Sequence, residues 1–186
     1  MKRPLPALGL ALIAWVTVTI AASQEANTQR PVSPSKLVVL DVELTGDRGG
    51  PELAPAHQAR LNLATTTLRE GLSHTGLYEL VDSTPAQSTV DELKSRYLYL
   101  HDCNGCDLDL GRQLGADQVL VAWVDRVSAL ILSLTYEIHD VATGQITARK
   151  SFGFRGDNDT SWTRAIDYMV RDLGESATSR GSDADH

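Results

Sequence analysis

Residues 118–154 read QVLVAWVDRVSALILSLTYEIHDVATGQITARKSFGF. The first ten, 118–127, are apolar on both faces of an extended chain. In 130–138, Leu130, Leu132, Leu134, Tyr136 and Ile138 alternate with Ser133, Thr135 and Glu137, with His139 next, and 146–154 alternates again. A period of two is the signature of a strand that sends successive side chains to opposite faces of a sheet. Between the last two runs, Asp140 to Gly144 supplies turn chemistry. Three consecutive strands with tight connections predict an antiparallel meander.

Upstream, LVVLDVEL at 37–44 fits one strand buried on both faces, and the Gly- and Pro-bearing residues 45–55 fit a loop. Leu61, Ala64, Leu68 and Leu72 recur at helical spacing, which predicts an amphipathic helix over 56–73 ended by Gly76. Tyr78-Glu79-Leu80-Val81 reads as the next strand, and strand, helix, strand in that order predicts a parallel crossover. Residues 90–100 fit either a helix or an irregular segment. A short helix with Asp107 and Asp109 in its first turn follows Cys106 and ends at Gly115. Downstream of the meander, Asp159 can cap a helix whose Trp162, Ile166, Met169, Val170 and Leu173 share one face. The polar residues 174–186 read as a disordered tail. The predicted architecture is α/β (α+β): a mixed sheet of about five strands, one parallel crossover and an antiparallel meander, with helices packed on it.

The N-terminus carries an address. Lys2 and Arg3 precede an apolar stretch, 8–22, that is free of acids and bases, and Ala21-Ala22-Ser23 offers the small residues a signal peptidase needs. Residues 1–23 are therefore expected to be a cleaved signal peptide, 24–35 a flexible linker, and 36–173 a single domain in the periplasm. The apolar stretch is too short for a comfortable membrane span. Removing Lys2 and Arg3 takes the formal net charge from −7 to −9. An acidic surface repels phosphate backbones and anionic lipid, so nucleic acid is not an expected partner, nor is the membrane once the leader is gone.

Candidate chemistry is sparse. The two cysteines, Cys103 and Cys106, lie three apart around Asn104-Gly105, and in an oxidising compartment such a pair closes a small disulfide loop. The same pair at the start of a helix could serve as a redox dithiol, because the helix dipole lowers a thiol pKa. Thioredoxin-like enzymes need a downstream cis-proline, however, and the last proline is Pro85. His101, Cys103 and Cys106 together offer three soft ligands that could hold a metal if the thiols stayed reduced. Asp107 stands where a covalent haem would need histidine. RGDNDTSW at 155–162 leaves a strand and enters a helix: Asp157, Asn158 and Asp159 can satisfy the free amides there, while Arg155, Trp162 and Arg164 would form a small recognition surface. Arg155, Asp157, Asp159, Trp162 and Arg164 are thus the candidate partner- or ligand-binding residues. Gly-x-Ser-x-Gly is absent, and Gly46 to Gly50 lacks the lysine and helix start of a phosphate loop. No catalytic residue and no cofactor are expected.

Cys103-Asn104-Gly105-Cys106, Gly111-Arg112-Gln113-Leu114-Gly115-Ala116-Asp117, Val127 to Leu132, the turn Asp140 to Gly144, and Arg155 to Trp162 together resemble a family of uncharacterised secreted bacterial proteins, defined as a domain of unknown function. The order of elements also looks like the N-terminal domain of the translocation protein TolB and the periplasmic domain of the curli secretion protein CsgG. The Cys103/Cys106 pair is a departure from both. The resemblance implies an α/β interaction module of the cell envelope with no catalytic residues to carry over.

These readings converge on a non-catalytic periplasmic accessory protein acting through contacts with another envelope or secreted protein. Two alternatives stay open: a thiol-disulfide protein using Cys103 and Cys106, and a small-ligand or metal-binding sensor.

Overall fold

A computed structural model describes the chain from residue 34 to residue 183, with side chains to residue 177. The leader 1–23 and nearly all of the 24–35 linker lie outside the described residues. The meander is present as read: β4 (Gln118–Arg126), β5 (Leu132–Asp140) and β6 (Ile146–Phe154) pair antiparallel in sequence order. Gln118 faces Asp140 and Arg126 faces Leu132, while Leu132 faces Phe154 across the second ladder, which shifts register at Ile138/His139. β1 (Ser35–Val39) lies parallel to β4 on one side and to β3 (Tyr78–Val81) on the other, joined to β3 through α1 (Ala54–Thr75). This is the expected crossover.

The run read as one strand, 37–44, is two. Leu40 still donates its amide to Leu120, 3.0 Å away, but the Val42 amide turns to the Thr65 hydroxyl on α1 at 2.9 Å. Between them, Asp41 points outward to Lys94 at 2.9 Å and Arg69 at 3.1 Å. The chain leaves the ladder there and rejoins it as β2 (Glu43–Gly46), parallel to β4 with Glu43 opposite Trp123. Among the described residues the sheet thus has six strands, in the order β3-β1-β4-β5-β6 with β2 beside β4.

The sheet is covered on both faces. Leu37, Val39, Leu120, Ala122, Val124, Leu134 and Tyr136 point to α1 and α4 (Asp159–Asp183), which supply Leu68, Leu72, Trp162, Ile166 and Met169. Val38, Leu40, Val119 and Val121 point to the opposite side, against Val90 of α2 (Gln87–Arg96) and Leu110 of α3 (Cys106–Leu114). α2 resolves the open segment in favour of a helix, followed by an irregular stretch from Tyr97. α1 and α3 end where read, at Gly76 and Gly115, whose φ values of 67° and 66° are the left-handed geometry glycine adopts without strain. α4 continues past Gly174 to Asp183, so the part of the 174–186 tail before Ala184 is helical. One glycine inside a helix costs only about 1 kcal/mol relative to alanine, which its good helix-forming neighbours Glu175 and Ala177 offset.

Gly111 fixes how closely α3 approaches the sheet. A Cβ there would stand 2.6 Å from Cγ2 of both Val119 and Val141. Gly111→Ala would gain about 1 kcal/mol of helix propensity but overpack the interface by roughly 1–3 kcal/mol. The substitution is expected to lower the urea midpoint of unfolding; an unchanged or raised midpoint would show that α3 can lift from the sheet at no cost.

Candidate functional site

The segment from Arg155 to Trp162 carries a set of hydrogen bonds centred on Asp157 and Asn158. Gly156, at φ 89°, turns the chain out of β6 so that Asp157 faces inward. Asn158 caps α4: its side-chain oxygen accepts the Ser161 amide at 3.0 Å and its carbonyl accepts that of Trp162 at 3.1 Å. The capping expected of three neighbouring residues thus falls to Asn158, freeing Asp157 for the interior.

Asp157 is a buried hub. Oδ2 accepts from Arg126 Nε at 2.7 Å and His57 Nε2 at 3.0 Å, while Oδ1 accepts from Arg60 Nη1 at 3.0 Å and the Trp162 indole at 3.1 Å. Its backbone amide donates to Ala129 in the β4–β5 hairpin at 2.9 Å. Burial alone would raise the Asp157 pKa, but the bonds from Arg126 and His57 and the charge of Arg60 outweigh it and hold the carboxyl below its ordinary range. A carboxylate offers about four lone-pair sites, and here four donors fill them. Asp157 therefore has no site left to take a proton from a substrate or to bind a ligand. Arg126 is equally committed, with Nη1 also on the Asp47 carbonyl at 2.7 Å. Asp159 stays at the rim, 3.2 Å from Arg60 Nε.

The recognition surface drawn from the sequence is only partly exposed. Trp162 is 1% exposed and belongs to the core, edge-on to Phe154, so it is not a surface group that grips a partner. Its apolar ring completes the face that Ile166 and Met169 present to the sheet, and its N–H finds Asp157. Arg155 and Arg164 are exposed, and neither has a hydrogen-bond or ionic partner among the described residues. They flank a groove of about 450 Å³ between β6 and α4, floored by Phe152, Phe154, Ala165 and Tyr168.

A second cleft, about 520 Å³, lies between α1, the β1–β2 junction and Tyr99. Its charges are already engaged: Asp41 with Lys94 and Arg69, and Arg48 with the Leu44 carbonyl and the Tyr99 ring, 5.8 Å away. Burial would raise the Asp41 pKa, but the bond from Lys94 and both neighbouring cations reverse the effect and lower it.

The sulfurs of Cys103 and Cys106 are in bonding contact at the start of α3, with Cα atoms 5.7 Å apart, a separation a disulfide spans. Both cysteines are buried, at 4% and 8% exposure. His101 takes no part with them. Its Nδ1 meets Glu43 at 2.5 Å and its ring stacks on Trp123 at a centroid distance of 4.2 Å. Among the described residues no group of three or more His, Cys, Asp or Glu side chains is placed to hold a metal ion. The His-x-Cys-x-x-Cys spacing does not translate into convergence, because the turn that closes the cysteines sends His101 across the sheet to β2 and β4.

Over residues 35–173 the sequence matches the profile of the family DUF3280, described as a protein of unknown function (DUF2380). The chain belongs to this family. No curated protein matches it. Among solved structures it is similar to the LpoB C-terminal domain from Salmonella enterica, at 20% identity and a TM-score of 0.49 over 65% of this chain and 82% of that one. It is similar to the lipoprotein GNA1162 from Neisseria meningitidis at 16% identity and a TM-score of 0.45, over 76% and 99% of the two chains. TolB from Acinetobacter baumannii is similar at 12% identity and a TM-score of 0.39, over 75% of this chain and 29% of that chain.

Several residues escaped sequence reasoning. His57, Arg60 and Arg126 converge on Asp157 across separations of 100, 97 and 31 residues. His139 sits between two buried acids, 2.5 Å from Asp107 and 2.8 Å from Glu137, and Glu137 also meets Arg149 at 3.1 Å. The alternation of β5 shows Glu137 and His139 on one face but gives no sign that α3 would bring Asp107 to them.

Asp157→Asn would set an amide N–H₂ against donors on one side of the hub, and removing one partner of a buried ion cluster costs about 3–5 kcal/mol. The carboxyl's folded pKa is lowered, so its contribution is complete above the unfolded value of about 3.9 and disappears as pH falls through the folded value. The stability gap between wild type and Asp157→Asn, measured by denaturant unfolding, is expected to be full at neutral pH and to shrink below about pH 4. A gap independent of pH would contradict the charged hub.

Proposed function

We propose that the chain is an exported accessory protein of the bacterial envelope, released into the periplasm by cleavage before Gln24 and working through protein–protein contacts rather than catalysis. One contrast carries the reading. Among the described residues, no buried side-chain nitrogen or oxygen lacks a hydrogen-bond partner, whereas Arg155 and Arg164 stand unpaired at the surface beside an open aromatic groove. Catalytic groups need a lone pair or proton to offer a substrate, and the buried ionic clusters have spent theirs on one another. Interfaces, by contrast, favour arginine and aromatic side chains that desolvate together.

The same reading makes Cys103–Cys106 a structural disulfide. A redox dithiol needs one accessible sulfur, and both cysteines are buried. Closing so short a loop stabilises the fold by roughly 2 kcal/mol.

Purification of the tagged protein from envelope fractions is expected to yield a chain beginning at Gln24, with no thiol reactive before reduction, and a stoichiometric protein partner. Cys103→Ser/Cys106→Ser is expected to keep that partner while losing about 2 kcal/mol of stability. A full-length cytosolic product with reactive thiols would overturn the address. Turnover by the isolated protein, with no partner recovered, would overturn the role.

A further inference from the structure

Among the described residues β6 is the last strand of the sheet, and only β5 pairs with it. In an antiparallel ladder every second residue of an edge strand turns its N–H and C=O outward, so β6 presents a row of backbone groups that a further strand could bond. The strand has no proline to interrupt that row. Natural proteins usually blunt such an edge. Here the only charged blunting groups, Arg149 and Lys150, are occupied by Glu137 and Asp172, and the half of the strand beyond them, Ser151 to Phe154, is uncharged.

That uncharged half borders the aromatic groove. Phe152 packs edge-on against Tyr168 at 5.1 Å, and Tyr168 remains 43% exposed. A strand added beside β6 at the usual spacing of about 4.8 Å would place alternate side chains over this floor. Arg155 and Arg164 close the groove where β6 gives way to α4, two guanidinium groups without a partner among the described residues, on a protein of formal net charge −7.

We infer that the β6 edge and this groove receive an extended acidic segment of a partner protein by strand addition, with apolar side chains over Phe152 and Tyr168 and carboxylates on Arg155 and Arg164. The inference rests on the interaction role proposed above and names the chemistry of the partner. Charge argues against a second copy: antiparallel pairing of β6 with itself about Lys150 would set the cationic part of the strand against its own image. An acidic segment meets complementary charge instead, and its carboxylates gain bidentate geometry on arginine.

The probe is a fluorescein-labelled peptide, Val-Thr-Val-Leu-Asp-Glu-Asp, titrated into the purified exported protein and followed by anisotropy, with amide hydrogen exchange read along β6. Binding is expected to weaken with salt and to protect alternate β6 amides. Arg155→Glu/Arg164→Glu, which breaks no internal bond, should weaken binding by about tenfold or more, as should a peptide with Lys in place of its acids. Equal binding of the acidic and lysine peptides, or protection of β6 by self-association in the absence of peptide, would overturn the inference. A natural partner whose recovery is insensitive to Arg155→Glu/Arg164→Glu would sink this site while leaving the interaction role intact. Failure to recover any partner from a chain that still binds the peptide at β6 would do the reverse.

Discussion

A carboxylate buried under a sheet is tolerable only when its charge is met, and Asp157 is met by Arg126, His57, Arg60 and the Trp162 indole. Those partners come from β4, from α1 and from α4 itself, so one side chain ties the end of the central strand to both helices of one face. Arg126 extends the tie to Asp47, and the Asp157 amide extends it to the β4–β5 hairpin. Because the hub is saturated, it contributes order rather than chemistry. What it orders is the passage from β6 into α4, where the chain turns at Gly156 and leaves Arg155 and Arg164 free on the surface.

The two faces of the sheet divide the work. The α1/α4 face is a continuous apolar layer closed by Trp162, Ile166 and Met169. On the α2/α3 face the apolar layer stops near β4, and polar clusters take over: Glu43 with His101 stacked on Trp123, and Asp107 with His139, Glu137 and Arg149. The cysteine pair lies at the start of α3, between His101 and Asp107. His101 and Asp107, on either side of the cysteines, are each engaged by a neighbour. The β6 edge, with its groove and its two exposed arginines, has no such partner among the described residues.

Much of the architecture was legible because it follows from periodicity. The alternation in β5 and β6, the three- and four-residue spacing in α1, and the glycines ending α1 and α3 each have a local cause that is visible in a short window. Features decided by distant partners were not legible. An apolar run, LVVLDVEL, carries no mark that Asp41 would be drawn out by Lys94 and Arg69 and split the strand. Trp162, beside arginines and acids, resembled a surface anchor, although its helical spacing with Ile166 and Met169 already placed it on the buried face. Within the candidate site, the exposure of Arg155 and Arg164 was legible from local sequence alone. The hub that positions them was not, because its members lie up to 100 residues apart.

Whether the β6 edge meets another protein in the cell can be read directly. Photo-cross-linking from position 168, in the exposed floor of the groove, can be compared with position 79 on β3 at the opposite edge of the sheet. A discrete protein adduct from position 168 and none from position 79 is the expected result. No adduct from position 168, or the same adduct from both edges, would contradict it.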